Sequence, residues 1–231
     1  MSNKNLTIVG LGGVGSWLIQ ALSPFLNYSE DEWDVTLVDG DEYEEKNRTR
    51  QAFDKIGPKA DIQAEWVDEK YPKVNVNPIF GYVSHSEEGT SPSLIIQEDS
   101  VVFSCVDNHK TRLLLQKHCE TLKNIILISG GNELTDGNIQ IFIRKDGENQ
   151  TPTIYDYHPE IADPTDKSPD EMSCEELAVS HPQLVVTNLA VASGMLNAFY
   201  SIQQGSFNPL FSECYIDVLR NESKSRERER N

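Results

Sequence analysis

The stretch NLTIVGLGGVGSWLIQALSPF (5–25) constrains this chain more than any other. Residues 5–10 form a short apolar run of strand length. Val14, Trp17, Leu18, Ala21, Leu22 and Phe25 then recur at the spacing of one helix face, and Pro24 is expected to end that helix. Between the two lies GLGGVG, which satisfies G-x-G-x-x-G with Gly10, Gly12 and Gly15. Glycines allow the tight strand-to-helix turn, and with Gly13 they let backbone N–H groups approach a phosphate at the positive end of the helix. Asp39 closes the next apolar run, DVTLVD, where a carboxylate can accept ribose hydroxyls. An adenine nucleotide is therefore expected, and NAD, FAD and ATP fit this much equally well.

Further apolar runs read as strands at 77–83, 100–106 and 124–129, with helices from Pro58 to about residue 70 and over 109–122. Strands alternating with helices imply right-handed crossovers and a parallel sheet. The pattern then changes. Residues 137–144 alternate like a half-exposed strand, an acidic, Pro-containing segment follows, and an apolar helix (184–202) leads to a last strand (212–219). The expected fold is α/β: a Rossmann-like, mainly parallel sheet with helices on both faces and an antiparallel C-terminal extension. Residues 1–144 would form the nucleotide-binding core, 145–172 an acidic crossover loop, 173–220 the elements completing the domain, and 221–231 a charged tail, disordered or a solvated helical extension.

A net charge of −17 argues against a nucleic-acid ligand. The four cysteines include no C-x-x-C pair, so no zinc site is expected, and free thiols point to the cytoplasm. The first residues are too short and polar for a secretory signal. The run 184–202 carries Thr187, Asn188, Ser193, Gly194 and Asn197, so a buried core or dimer helix is expected, not a membrane span.

LVDGDEYEEKNRTRQAFDKIGPKA (37–60) then narrows the chemistry. Hydride transfer requires nothing in particular after Asp39, yet Asp41, Asn47, Arg50, Gln51 and Lys59 follow. Arg and Lys neutralise a triphosphate and the charge developing on phosphorus. CVDNHKTR (105–112) puts Asp107 and Asn108 at the carboxyl edge of the sheet, and an Asp there suits Mg²⁺ held against phosphate oxygens. G-x-x-x-x-G-K-[ST] is absent, so this is not a P-loop chain.

Taken together, GLGGVG, the D-x-D…N-x-x-R-Q run of 39–51, G-x-K at 57–59, C-x-D-N at 105–108 and SGG…DGNIQIF (129–142) resemble the ThiF/MoeB/HesA family of ubiquitin-activating-enzyme-like adenylating proteins. The resemblance implies ATP and Mg²⁺ as cofactors, with the phosphates over Gly12 and Gly13. It assigns Asp39 to the ribose, Asn47, Arg50 and Lys59 to the phosphates, and Asp107 to Mg²⁺. The implied substrate is the C-terminal carboxylate of a ubiquitin-like protein or peptide, adenylated and then, in many relatives, passed to a cysteine. Cys174 falls where such relatives carry one; a loop cysteine without a role is the alternative, and Cys214 is a weaker candidate. A conjugating-enzyme-like acceptor and a homodimer are further implied partners.

Within this sequence the family's Arg ahead of the first strand has no counterpart, so Arg48 or an Arg from another chain is the expected substitute. The family's paired zinc cysteines are also missing. Two other readings stay open: a non-catalytic scaffold that binds a ubiquitin-like or conjugating-enzyme partner, and a nicotinamide-dependent oxidoreductase resting on the glycine loop and Asp39 alone.

Overall fold

A computed structural model of the chain describes residues 3–84, 86, 89–167 and 183–229. Its centre is the first strand, β1 (Lys4–Val9), flanked in parallel by β2 (Trp33–Asp39) and β6 (Ser100–Ser104). Period-two alternation sends Leu6 and Ile8 to one face of the sheet and Val9 to the other, and both faces are covered. That double burial explains the unbroken apolar runs of these strands. Beyond β2 lies β5 (Val74–Phe80), and beyond β6 lies β7 (Ile125–Asn132), both parallel. Antiparallel strands β8 (Asp136–Lys145), β10 (Glu213–Asp217) and β11 (Glu222–Arg226) extend the sheet to the order β11-β10-β8-β7-β6-β1-β2-β5. Two short pairings complete the strands: β9 (Glu148–Asn149) on β8, and a separate ladder of β3 (Glu42–Tyr43) with β4 (Gly57–Pro58).

Helices α1 (Gly13–Tyr28), α2 (Lys59–Lys70) and α6 (Val185–Gln203) cover the Leu6/Ile8 face. The turn α3 (Pro92–Ile95), helix α4 (His109–Cys119) and the turn α5 (Pro159–Ala162) cover the other. Although α6 has the length and hydropathy of a membrane span, it is a core helix here. Its Val191, Met195 and Phe199 are fully buried, and Phe199 meets Phe25, Trp33 and Phe103 with ring centroids 5.6–5.7 Å apart. Burying such a ring contributes about 3 kcal/mol.

Three expectations change. Helix α1 continues through Pro24 to Tyr28, because Leu26 extends its buried face beyond the ring. Strand β5 starts at Val74, since Val74 and Val76 are the inward positions that pair beside Trp33 and Val35. The tail is neither helix nor disordered over 222–226. It forms β11 against β10, and backbone pairing needs no apolar face.

A buried charge cluster fastens this end of the chain. His158, just before α5, hydrogen-bonds Glu160 at 2.8 Å and Glu213 at 2.5 Å, and Glu213 also pairs with Arg228. Burial pulls the His158 imidazole down, but the bonds to Glu213 and Glu160 outweigh it, and the net shift is upward from 6.5. Burial pushes Glu213 up, but His158 and Arg228 outweigh it, and the net shift is downward from 4.5. The histidine's contribution is complete below pH 6.5 and is lost as pH rises through its folded value. That of Glu213 is complete above pH 4.5 and is lost as pH falls through its folded value. His158→Gln should therefore be most destabilising between those two values. Urea denaturation at pH 5.5 and pH 9 checks this: the deficit should shrink at pH 9, and an equal deficit at both would show that the imidazole is neutral throughout.

Candidate active site

The glycine loop is shaped by what surrounds each position. Gly10 has φ +90°, and a Cβ there would lie 2.8 Å from the Cys105 carbonyl oxygen, so the tips of β1 and β6 meet only through a glycine. A Cβ on Gly15 would lie 1.9 Å from the Gly10 oxygen, which closes helix onto strand. Gly12 differs, because its nearest neighbour would be the Gln51 amide nitrogen at 3.9 Å and its outer face is open. Among the described residues no side chain caps α1, which leaves its first N–H groups for a ligand.

Asp39 and Tyr43 clamp the loop. The backbone N–H of Leu11 donates to Asp39 Oδ2 at 2.6 Å, and the Leu11 oxygen accepts from the Tyr43 hydroxyl at 2.8 Å. Gln63 donates to that same hydroxyl at 2.9 Å. Asp39 Oδ1 accepts from the Asp41 N–H at 2.8 Å. Burial pushes the Asp39 carboxyl above its usual range against the pull of Lys59.

Lys59 is the first residue of α2, where a cation opposes the helix dipole. It is nevertheless buried, with Nζ 2.7 Å from Asp41 and 3.9 Å from Asp39. Burial alone would lower its pKa, but the two carboxylates outweigh it and raise it. Asp41 is lowered on balance: burial pushes it up, and Lys59 and the Tyr82 hydroxyl, 2.5 Å away, outweigh that. The ring of Tyr82 lies on Gly40, 2.7 Å from where a Cβ would stand. A cation held against its helix dipole beside an open glycine loop is the local conflict expected where an anion binds.

These groups open into one cleft of about 1270 Å³ along the carboxyl edge of the sheet. It gathers Gly10, Gly12, Gly13, Asp39, Asp41, Asn47, Arg50, Gln51, Lys59, Asp107 and Asn108; Gly15 lies one turn beneath. Asp107 is exposed, and its charge reaches Lys59 and the buried Arg112. Asn108 caps α4, accepting from the Thr111 N–H at 2.8 Å. Asn47 Oδ1 accepts from the Glu44 N–H at 2.9 Å, so that oxygen is spent on its own turn. Gln51 Oε1 is buried without a partner among the described residues.

Arg48 stays outside the cleft lining. It pairs with Glu45 at 2.9 Å and lies over the Phe53 ring. Burial pushes the Cys105 and Cys119 thiols up to about 12, which makes them poor nucleophiles. Cys214, on β10, has its sulfur 3.3 Å from the Ser223 hydroxyl and does not line the cleft. Cys174 lies outside the described residues.

Five contributors escaped the sequence reading. Tyr43 lies among the polar residues of 37–60, and Tyr82 falls in the run 77–83 read as a strand. Arg112, four residues after Asn108, donates to the Val106 oxygen at 2.8 Å and the Gly130 oxygen at 3.3 Å, tying β6 to β7 beneath Asp107. Gln183 and Asn188 reach the loop from the start of α6 and bond the Arg50 side chain and carbonyl at 3.0 Å each. The polar residues inside the apolar run 184–202 were the available signal for Asn188.

The same architecture recurs in solved structures. A crystal structure of E. coli MccB with AMPCPP and MccA superposes over 99% of this chain and 65% of its own, with a TM-score of 0.74 at 15% identity. PaaA gives 0.68 over 97% and 64% at 16% identity. At these identities the likeness shows the fold alone. Among curated proteins, the tRNA threonylcarbamoyladenosine dehydratase of Haemophilus influenzae is 31% identical over 141 residues, 59% of this chain and 51% of that protein. The adenylyltransferase and sulfurtransferase UBA4 of Yarrowia lipolytica is 27% identical over 145 residues, 62% and 34%. Ubiquitin-like modifier-activating enzyme 5 of Arabidopsis thaliana is 27% identical over 155 residues, 60% and 35%. The chain thus spans about half or less of the length of these relatives. The ThiF family model matches residues 1–212, nearly the whole chain, and the protein belongs to the ThiF family.

Proposed function

We propose that this protein is an ATP-dependent adenylating enzyme whose substrate is the C-terminal carboxylate of a ubiquitin-like protein or peptide. The observation that carries this reading is the convergence of Arg50, Lys59 and the exposed Asp107 on one cleft beside the open face of Gly12. Relatives named as an adenylyltransferase and as a ubiquitin-like modifier-activating enzyme support it. A cleft of this size exceeds the usual small-molecule pocket and has room for a nucleotide and the end of an extended chain.

In this reading the N–H groups of the loop and of the first turn of α1 cradle phosphate, and Arg50 and Lys59 neutralise it. Asp39 and Tyr43 keep the loop in place. The carboxylate oxygen bonds to the α-phosphorus, and the bond to pyrophosphate breaks, carrying its electron pair away with the leaving group. The donor set fits Mg²⁺: Asp107 is one exposed carboxylate, no cluster of three metal-ligating side chains occurs among the described residues, and Mg²⁺ commonly takes one or two carboxylates and completes its shell with phosphate and water. Asp107 would hold the ion, which would supply charge neutralisation at the phosphates. Transfer of the acyl group to Cys174 or to a conjugating-enzyme-like acceptor, and pairing of two copies, are proposed from the family resemblance.

ATP–pyrophosphate exchange tests the reading. Exchange should appear with ubiquitin-like proteins or peptides bearing a free C-terminus and vanish when that terminus is amidated. Mg-ATP binding without exchange for any free-acid substrate would favour the scaffold reading instead.

A further inference from the structure

The guanidinium proposed to neutralise phosphate is already bonded to a protein oxygen. Gln183, two residues before α6, places Oε1 3.0 Å from Arg50 Nη1. The same oxygen would lie only 2.5 Å from a Cβ on Gly13, so it rests against the first turn of α1. It therefore lies between the Arg50 guanidinium and the flank of the first turn of α1, with Asn188 Nδ2 crowding the same Gly13 position at 2.4 Å, and the guanidinium favours an anion there. A neutral amide oxygen is the weaker occupant of such a spot, because it carries no net charge to meet the guanidinium, whereas phosphate can pair with Arg through two bonds.

We infer that Gln183 Oε1 stands in for a phosphate oxygen of the nucleotide: without ligand it holds Arg50 across the loop, and a bound phosphate displaces it. The inference rests on the adenylation reading only in taking the ligand to be a nucleotide. The main chain of Arg50 does not have to move in the exchange. Its carbonyl accepts from Trp17 Nε1 at 3.2 Å and from Asn188 Nδ2 at 3.0 Å, so only the guanidinium changes partner.

Titration calorimetry of the wild type, Gln183→Ala and Gln183→Glu with Mg-ATP and with adenosine tests this. Removing the competitor should tighten Mg-ATP binding by about threefold to tenfold, the worth of one ordinary hydrogen bond. Gln183→Glu should weaken it by at least a similar factor, since a carboxylate would pair with Arg50. Adenosine, which lacks phosphate, should bind all three proteins equally, and this also reports that the variants are folded. Unchanged or weaker Mg-ATP binding by Gln183→Ala, with the wild type binding normally, would overturn the inference and make Gln183 a support for Arg50. A wild type that binds neither ligand would overturn the nucleotide reading, and the inference with it.

Discussion

Asp107→Ala is expected to cut pyrophosphate exchange by about a hundredfold to a thousandfold, the scale of losing one well-placed electrostatic group in a reaction on charged phosphate. The fold should survive. Asp107 is exposed, no hydrogen bond to its carboxylate is found among the described residues, and surface substitutions away from such features usually shift stability by less than about 0.5 kcal/mol. Its charge reaches Lys59 and Arg112, but Lys59 also pairs with Asp41 and Arg112 is also held by the Val106 and Gly130 carbonyls. Asp107→Asn separates shape from charge: it should lose nearly as much exchange and require more Mg²⁺ for what remains. Exchange measured across a Mg²⁺ titration, beside urea denaturation of each variant, checks the pair. Wild-type exchange in Asp107→Ala would remove this carboxylate from the reaction.

Lys59→Met has the largest expected effect on stability. Its side chain is 8% exposed and that of Asp39 only 7%, so removing the ammonium strands a buried carboxylate. Breaking a buried pair in this way costs about 3–5 kcal/mol, and Asp41, nearly half exposed, brings the expectation to the lower end. Asp39→Asn in the Lys59→Met background should recover part of the loss, because the stranded charge is then gone. The pH dependence follows. Burial already holds Asp39 above 3.8, and without Lys59 it rises further. A raised carboxyl pKa is a penalty that is absent below the unfolded value and complete above the folded one, so the deficit should shrink as pH falls towards 4. Denaturation midpoints at pH 4.5 and pH 7.5 decide it; the same deficit at both would mean that packing of the lysine stem, not charge, holds this corner together.

The sequence shows the parallel half of the fold because both faces of β1, β2 and β6 are buried, which writes apolar runs into the chain. It hides β11, whose partner is supplied by backbone groups alike in every sequence. The site divides in the same way. Arg50, Lys59 and Asp107 are legible because each is a charged residue beside a strand, turn or helix start that the sequence marks, and the chemistry of phosphate demands their type. Gln183 and Asn188 are not, because they meet Arg50 across more than 130 positions and no local pattern marks a neutral amide as part of a nucleotide site. Arg112 reads as one more polar residue on a helix until the carbonyls it ties together are seen.

The two outer strands bear on how molecules of this protein can meet. An exposed strand edge invites another chain to add itself. At one side of the sheet Pro78 lies within the edge strand β5 and has no N–H to offer a newcomer. At the other, β11 presents Glu222, Lys224 and Arg226, charged residues that discourage flat stacking of a further strand. Both edges of the sheet thus discourage growth by addition of a further strand.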